Sequence, residues 1–377
     1  MTDTLSTITE RLRTRDSFDV SLAAALVALG AVSVIMIYSA TRQNLLNLGE
    51  NPHYFVERQA LYVLIGIVAM YLISRFDYRR FEVAATPLYV ISLLSLVGVF
   101  VVGQSALGAQ RWYNLKFIEI QPSEFAVLIL ILAFATYCQR RPEGLTMYDV
   151  MRLLVMGATP LVLIFAQPDF GTAAIVVITV AALLVIAGVP SRFMTLLAVL
   201  GSVGLVASVY LDLLHKYQID RLLTFFNPTS TNPKLQGLIY DINNAKSAIG
   251  AGGLHGSGLF HGMLTNLGYV PEQYTDYIFT AIGEQLGFIG SSLIILLLAF
   301  IGLRMFRIGR TAKDPMGRLL CVGIFIFFAF SCFENIGMTM GIMPVTGIPL
   351  PILSYGGSAA LVFFCAGGAV LSVSRQR

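Results

Sequence analysis

Ten blocks of mostly apolar residues recur along this 377-residue chain, most of them long enough to cross a hydrocarbon layer as a helix. A chain inside lipid must satisfy its backbone internally, so blocks of this length fold as helices packed against one another. Only 12% of the residues are charged and the mean hydropathy is +0.76, whereas soluble chains carry about a quarter charged residues. The expected fold is an all-α polytopic integral membrane protein with about ten transmembrane helices. The blocks lie near 18–39, 57–74, 82–103, 122–138, 150–167, 170–188, 193–213, 276–303, 316–340 and 350–373. Residues 1–377 read as a single membrane domain. No cleavage site follows a short apolar core, so the first helix is expected to act as its own insertion signal.

An even number of spans puts both termini on one side, and the Lys and Arg bias chooses the side. With cytoplasmic termini, the inner segments hold most of the 25 basic residues, including Arg11, Arg13, Arg15, Arg75, Arg79, Arg80, Arg375 and Arg377. Residues 214–275 then form a large extracytoplasmic loop between the seventh and eighth helices. This stretch carries Asn227-Pro228, Asn232-Pro233 and six glycines from Gly250 to Gly262. Such glycines permit close backbone approach or re-entrant folding, and equally mark a flexible loop. Composition leaves both readings open.

Cys138, Cys321, Cys332 and Cys365 lie in or beside apolar blocks without paired spacing, and read as inert helix residues. His53, His215, His255 and His261 make no metal-ligand pattern. The chain has no Walker-type loop, HExxH or nucleophile elbow, so neither ATP nor an obvious protein nucleophile is expected.

Ionisable groups in hydrocarbon are costly and default to functional candidates. Here they are Glu124, Asp169, Asp276, Glu284 and Glu334, all but Glu284 near outer span ends. Asp276 stands where the polar segment gives way to an apolar helix, in YVPEQYTDYIFTAIGEQLG. It has two readings. Thr275 can cap the helix, with Asp276 favoured by the macrodipole. Alternatively Asp276 is an outward-facing general base, its pKa lifted by a low-dielectric setting. Asp276 and Glu284 would be about 12 Å apart along a helix and turned by about 80°. That spacing does not suit a two-carboxylate glycosidase pair.

Arg111, Trp112, Lys116, Lys216, Arg221 and Lys246 fall in outward segments. Cations there could neutralise a pyrophosphate, or with Trp simply anchor the interface. Gln121-Pro122-Ser123-Glu124 and Gln167-Pro168-Asp169 echo one another at two helix mouths. Proline at a first helical turn explains both prolines without a repeat. Glu334 and Asn335 read as a polar pair bonding a neighbouring helix.

Several motifs together carry a resemblance. They are GAQRW (108–112), QPSE (121–124), QPDFGT (167–172), YQIDR (217–221), AKSAIGAGGLHGSG (245–258), PEQYTDYIF (271–279), NIGM (335–338) and PLPILSYGGSA (349–359). In this order and over nearly the whole chain, they resemble the SEDS (shape, elongation, division and sporulation) family of peptidoglycan polymerases. The stretch MPVTGIPLPILSYGGS (343–358) and the short tails are more similar to the RodA-like elongation branch than to the FtsW-like division branch.

The resemblance implies an inverting glycosyltransferase acting on lipid II at the outer face of a bacterial cytoplasmic (inner) membrane. The 4-hydroxyl of an incoming GlcNAc would attack C1 of the MurNAc that ends the growing glycan strand. Undecaprenyl pyrophosphate would leave. The family's essential acid falls on Asp276, as general base to the acceptor hydroxyl. By the same carry-over, Arg111 and Trp112 belong to a functional outer-loop motif and Glu124 to an acid lining the central cavity. Arg221 and Lys246 are partners for pyrophosphate oxygens, while Glu272 and Thr275 orient the base. Ser354, Gly356 and Gly357 serve packing. The implied partners are a class B penicillin-binding protein acting as transpeptidase, packed around the eighth and ninth spans, other elongation-complex proteins and membrane lipids. Nucleic acid is not expected. Carboxylates at an outer mouth could hold a divalent cation, Mg²⁺ or Mn²⁺, although no ligand set is visible.

Two departures from the family pattern stand out. Many relatives carry a lysine where this chain has Val127, so the usual i,i+3 pairing with Glu124 is missing. Glu124 must then find another cation, accept water or be protonated. Tyr274 replaces a frequent histidine and Tyr277 a frequent phenylalanine. The rival readings are a flippase of lipid-linked precursors, whose charges should gather near the midplane, and a non-catalytic scaffold, which should tolerate loss of Asp276.

Overall fold

The protein is described from a computed structural model covering residues 18–106, 109–114, 119–141, 143–210 and 216–376. Arg11, Arg13, Arg15, Gly108, Lys116, His215 and Arg377 lie outside these residues. A helix stands at each apolar block: α1 (Val20–Leu48), α2 (Tyr54–Arg75), α3 (Phe81–Val102, entered by a 3₁₀ turn), α4 (Pro122–Gln139), α5 (Met147–Ala166), α6 (Phe170–Ile186) and α7 (Ser191–Tyr210). Three helices follow in the long segment, namely α8 (Lys216–Phe226), α9 (Gln236–Ala251) and α10 (Met263–Asn266). The chain closes with α11 (Ile278–Arg310), α12 (Pro315–Met340) and α13 (Gly357–Arg375). Among the described residues eight helices are long and apolar enough to span a membrane, while α6 and the apolar part of α7 are shorter. The fold is that of a polytopic, mostly helical membrane protein.

Helix ends follow local chemistry. Asp19 caps α1 by accepting from the Leu22 N–H at 3.0 Å. Asp314 caps α12 by accepting from Gly317 N–H at 2.7 Å, ahead of Pro315 in the first turn. Gly341 ends α12 in the left-handed region at φ 72°. Close contact between helices depends on missing side chains. A Cβ on Gly66 of α2 would sit 2.3 Å from the Phe364 ring of α13, and one on Gly368 would sit 2.7 Å from the Met70 carbonyl. In lipid, where apolar burial does not drive helices together, such fits let van der Waals packing do so.

Two features go beyond what the sequence reading specified. Between α3 and α4 lies a three-stranded antiparallel sheet, β1 (Gln104–Ala106), β2 (Ala109–Asn114) and β3 (Glu119–Ile120), with β2 in the middle. Strands this short carry no readable period, and they decorate an otherwise all-α membrane bundle as expected. The glycine-rich stretch is not loose: it inserts into a break in α11, where Gly287 has φ 63° and ψ −165°. Phe288 N–H donates to the Gly253 carbonyl (2.8 Å) and Ile289 N–H to that of Leu254 (3.1 Å). In return the Glu284 and Gln285 carbonyls accept from Ser257 and Gly258 at 2.9 and 3.1 Å. The backbone groups freed by the break are thus paired again. Of the two readings left open, close backbone approach is the one realised.

Polarity divides the bundle lengthwise. All four ion pairs among the described residues, Arg79–Asp314, Arg140–Glu82, Arg141–Asp149 and Arg304–Asp19, lie at the end away from Asp276. The start of α11, the N-terminus of α13 and the long segment share the other end, where Tyr355 N–H reaches the Tyr274 carbonyl at 2.9 Å.

Candidate active site at the mouth of α11

Asp276 lies in a tight turn rather than in a helix. The Glu272 carbonyl accepts from the N–H groups of Thr275 (3.2 Å), Asp276 (3.1 Å) and Tyr277 (3.4 Å), with Glu272 itself at φ 47°. Helix α11 starts at Ile278, and its capping position is Tyr277. Thr275 instead donates its hydroxyl back to the Glu272 carbonyl at 3.1 Å. The capping account of Thr275 and Asp276 is therefore incorrect, because the turn closes one residue before any helical N–H becomes available.

The backbone beneath the carboxylate is pinned from α12. Asn335 donates through Nδ2 to the carbonyls of Asp276 and Ile348, each at 2.8 Å. This joins the turn to the extended segment between α12 and α13. Gly347 of that segment has φ 78°, and a Cβ there would stand 3.2 Å from Asp276 Oδ2 and 3.8 Å from Arg221 Nη1. Glycine leaves carboxylate and guanidinium facing each other. Burial pushes the half-buried Asp276 up to about 6, opposed by the nearby Arg221 and Arg111 and assisted by Glu272. At neutral pH the group is ionised yet far more basic than an ordinary aspartate, as acceptance of a hydroxyl proton requires.

Two arginines reach this mouth from separate elements. Arg221 comes from α8, its guanidinium 5.6 Å from the Tyr217 ring centroid. Arg111 comes from β2 and donates through Nε to the Gln167 carbonyl (3.0 Å), and through Nη2 to the Tyr217 hydroxyl (3.0 Å) and the Pro168 carbonyl. Both arginines line one cleft with Tyr217, Gln218, Phe170 and Thr346. Its chemistry suits a phosphate-bearing leaving group beside a base.

The other expected residues divide. Trp112 neighbours Arg111 on β2 and so projects from the opposite face of the strand, opposite Gln104 in register. Lys246 lies along α9 against Gly341 at the C-terminal cap of α12, where a cation complements the helix dipole. Glu272 contributes its carbonyl to the turn and its charge to Asp276. Glu124 is buried in the first turn of α4, with Oε2 lacking a hydrogen-bond partner. Among the described residues no ion pair replaces the lysine displaced by Val127. The acid is packed near Asp169, which itself accepts from Gln121 Nε2 (2.9 Å) and Ser123 Oγ (3.0 Å). The two Gln-Pro motifs thus meet in space, as partners across α4 and α6. The divalent-cation expectation finds no cage, since no three His, Cys, Asp or Glu side chains converge among the described residues.

Further residues support the turn, and the sequence had given no partner for any of them. Glu284 is buried between α10 and α11, accepting from Leu264 N–H (2.7 Å), Thr265 N–H (2.9 Å) and Thr265 Oγ1 (2.6 Å). Gln273 then links Thr265 Oγ1 (3.1 Å) to Thr280 Oγ1 (2.9 Å), bracketing the Asp276 turn. Glu284→Gln turns one acceptor oxygen into a donor facing other donors. It is expected to lower stability by about 1.5–3 kcal/mol, read as a lower thermal midpoint in detergent. An unchanged midpoint would contradict this clamp. Gln273 lies within the PEQYTDYIF stretch but was not singled out there, and nothing in sequence marked Gly347.

Residues 20–377 match the FtsW/RodA/SpoVE family, described as cell cycle protein. The chain is 33% identical over 359 residues to peptidoglycan glycosyltransferase MrdB of Escherichia coli K12, covering 95% of this chain and 94% of that protein. It is 35% identical over 369 residues to a probable peptidoglycan glycosyltransferase FtsW of Trichlorobacter lovleyi, covering 95% and 93%. Among solved structures, it superposes with TM-score 0.78 and 28% identity on a chain from work on the coordination of polymerization and crosslinking by a peptidoglycan synthase complex. That match covers 96% of this chain and 98% of the other. The rod shape determining protein RodA of Thermus thermophilus superposes with TM-score 0.70 and 26% identity, again over 96% and 98%.

Proposed function

The chain belongs to the FtsW/RodA/SpoVE family of cell cycle proteins, and on that premise we propose that it polymerises lipid II into glycan strands with Asp276 as general base. It is a peptidoglycan glycosyltransferase of the SEDS family and an integral membrane protein. The observation that carries the finer reading is the carboxylate of Asp276 facing Arg221 across Gly347 at the mouth of α11. Asp276 takes the proton from the GlcNAc 4-hydroxyl as that oxygen attacks C1 of the MurNAc ending the strand. The C1–oxygen bond to undecaprenyl pyrophosphate breaks, and Arg221 and Arg111 receive its charge. A single in-line displacement inverts C1 and requires no second carboxylate.

The basic residues at the opposite end support cytoplasmic termini in the inner membrane, with Asp276 extracytoplasmic. The RodA-like stretch 343–358 and the RodA superposition favour a role in elongation over division. The synthase-complex relative favours a class B penicillin-binding protein as partner.

The test is lipid II polymerisation by purified protein, alone and with its transpeptidase partner blocked by a β-lactam. Glycan strands are expected. Movement of lipid II across vesicles without strand synthesis would favour the flippase. Arg221 also holds the Asp276 carboxyl down. Arg221→Ala is therefore expected to move the acid limb of the pH–rate profile upward and to slow polymerisation on the order of 100-fold. Arg221→Lys should restore part of the limb's position. A profile unmoved by either substitution would separate Arg221 from the base.

A further inference from the structure

A second charged feature lies at the end of the bundle away from Asp276. The C-termini of α2 and α13 and the 3₁₀ turn before α3 line an open cavity of about 250 Å³. Arg75, Arg80 and Arg375 line it together with Ser74, Phe76 and Asp77. None of the three arginines makes an ion pair among the described residues, whereas Arg79, Arg140, Arg141 and Arg304 at the same end are each paired. Arg375 is oriented by a 3.3 Å bond from Nη1 to the Ser74 carbonyl, and Arg75 leans over the Tyr71 ring at 5.6 Å. Asp77 is the opposing charge in the lining, and its carboxylate is engaged in accepting from Arg79 N–H at 2.9 Å.

We infer that this cavity is a discrete site for the phosphate of an anionic phospholipid headgroup. Level and surroundings select the lipid as source of the phosphate. Arg75 and Arg375 are the terminal residues of two apolar spans, so the cavity sits where a membrane's headgroups lie. Beside it Leu72, Phe76 and Val83 are exposed, at 52%, 55% and 82%. They form an apolar flank on which acyl chains would rest, whereas a soluble anion would have no use for it. Guanidinium groups bind phosphate oxygens in forked, charge-assisted pairs. The site joins α2, α3 and α13, and is independent of the chemistry assigned to Asp276.

The experiment is native mass spectrometry of the full chain in detergent, with added phosphatidylglycerol, cardiolipin or phosphatidylethanolamine. Wild type is expected to retain phosphatidylglycerol and cardiolipin through delipidation steps that strip phosphatidylethanolamine. The triple variant Arg75→Ala, Arg80→Ala, Arg375→Ala should bind them on the order of 100-fold more weakly. Arg307→Ala with Arg310→Ala, at the same end but outside the cavity, should bind as wild type does. Equal loss in both variants would mean diffuse surface attraction, and full retention by the triple variant would remove the site. Complete displacement by millimolar inorganic phosphate would assign it to a soluble anion instead. Should the triple variant misfold, Arg80→Gln alone, at an exposed and unpaired position, is expected to weaken binding about 5-fold, and no change would reject the site.

Discussion

Asp276→Asn is expected to reduce glycan strand synthesis on the order of 1,000-fold, within the range that general base catalysis contributes. The amide keeps the shape of the turn and cannot take a proton. Wild type should show an acid limb near pH 6, because Asp276 must be ionised to act and burial has raised it to about 6. Below that pH the rate should fall about tenfold per unit, and the limb should vanish from the variant's residual activity. Linkage fixes a companion result. A carboxyl whose folded pKa is raised stabilises the fold most below its unfolded value near 3.8, and that contribution is lost as pH rises through about 6. The variant should therefore melt higher than wild type at pH 7.5 and level with it near pH 4. Equal strand synthesis by both proteins would remove Asp276 as the base, and a variant less stable at pH 7.5 would make its role structural.

Gly256→Val should be the most damaging substitution outside the mouth. Gly256 has φ 80°, and a Cβ there would lie 2.1 Å from the Gln285 carbonyl and 2.7 Å from the Gly287 nitrogen. Both obstacles are backbone, inside the break that the 250–262 segment fills. Left-handed strain in a non-glycine residue and overpacking add to roughly 3 kcal/mol or more. Gly250→Ala is the control, since a Cβ at that position meets nothing within 4 Å. Its effect should stay within about 0.5 kcal/mol. Thermal unfolding in detergent separates the two. If both melt as wild type does, the loop does not lock the broken helix.

Much of the outline was legible in the chain, because each apolar block carries its own reason to be a helix. The blocks near 57–74 and 316–340 correspond to α2 and α12, with Pro315 and Asp314 marking one start by familiar chemistry. Asp276 was recognisable as an acid at a helix mouth, and Arg221 and Arg111 as cations at the same level. Their convergence was not legible. Arg221 lies 55 residues before Asp276 and Arg111 farther still, and no local period links strand β2, helix α8 and the turn. Thr275 misled because a threonine before an apolar run fits a cap, and only the hydrogen bonds to the Glu272 carbonyl reveal a closed turn.

By itself the sequence determined that this protein is a helical bundle in a membrane, which segments carry most of the cations, and which acid stands at a helix mouth. These follow from hydropathy and charge, whose costs in lipid are local to each residue. Only the tertiary structure decided that Asn335 pins Asp276, that Glu284 clamps the preceding segment, and that glycines seal a broken helix. Those are bonds between distant segments, set by the close approach of backbones, and no residue announces its partner in advance.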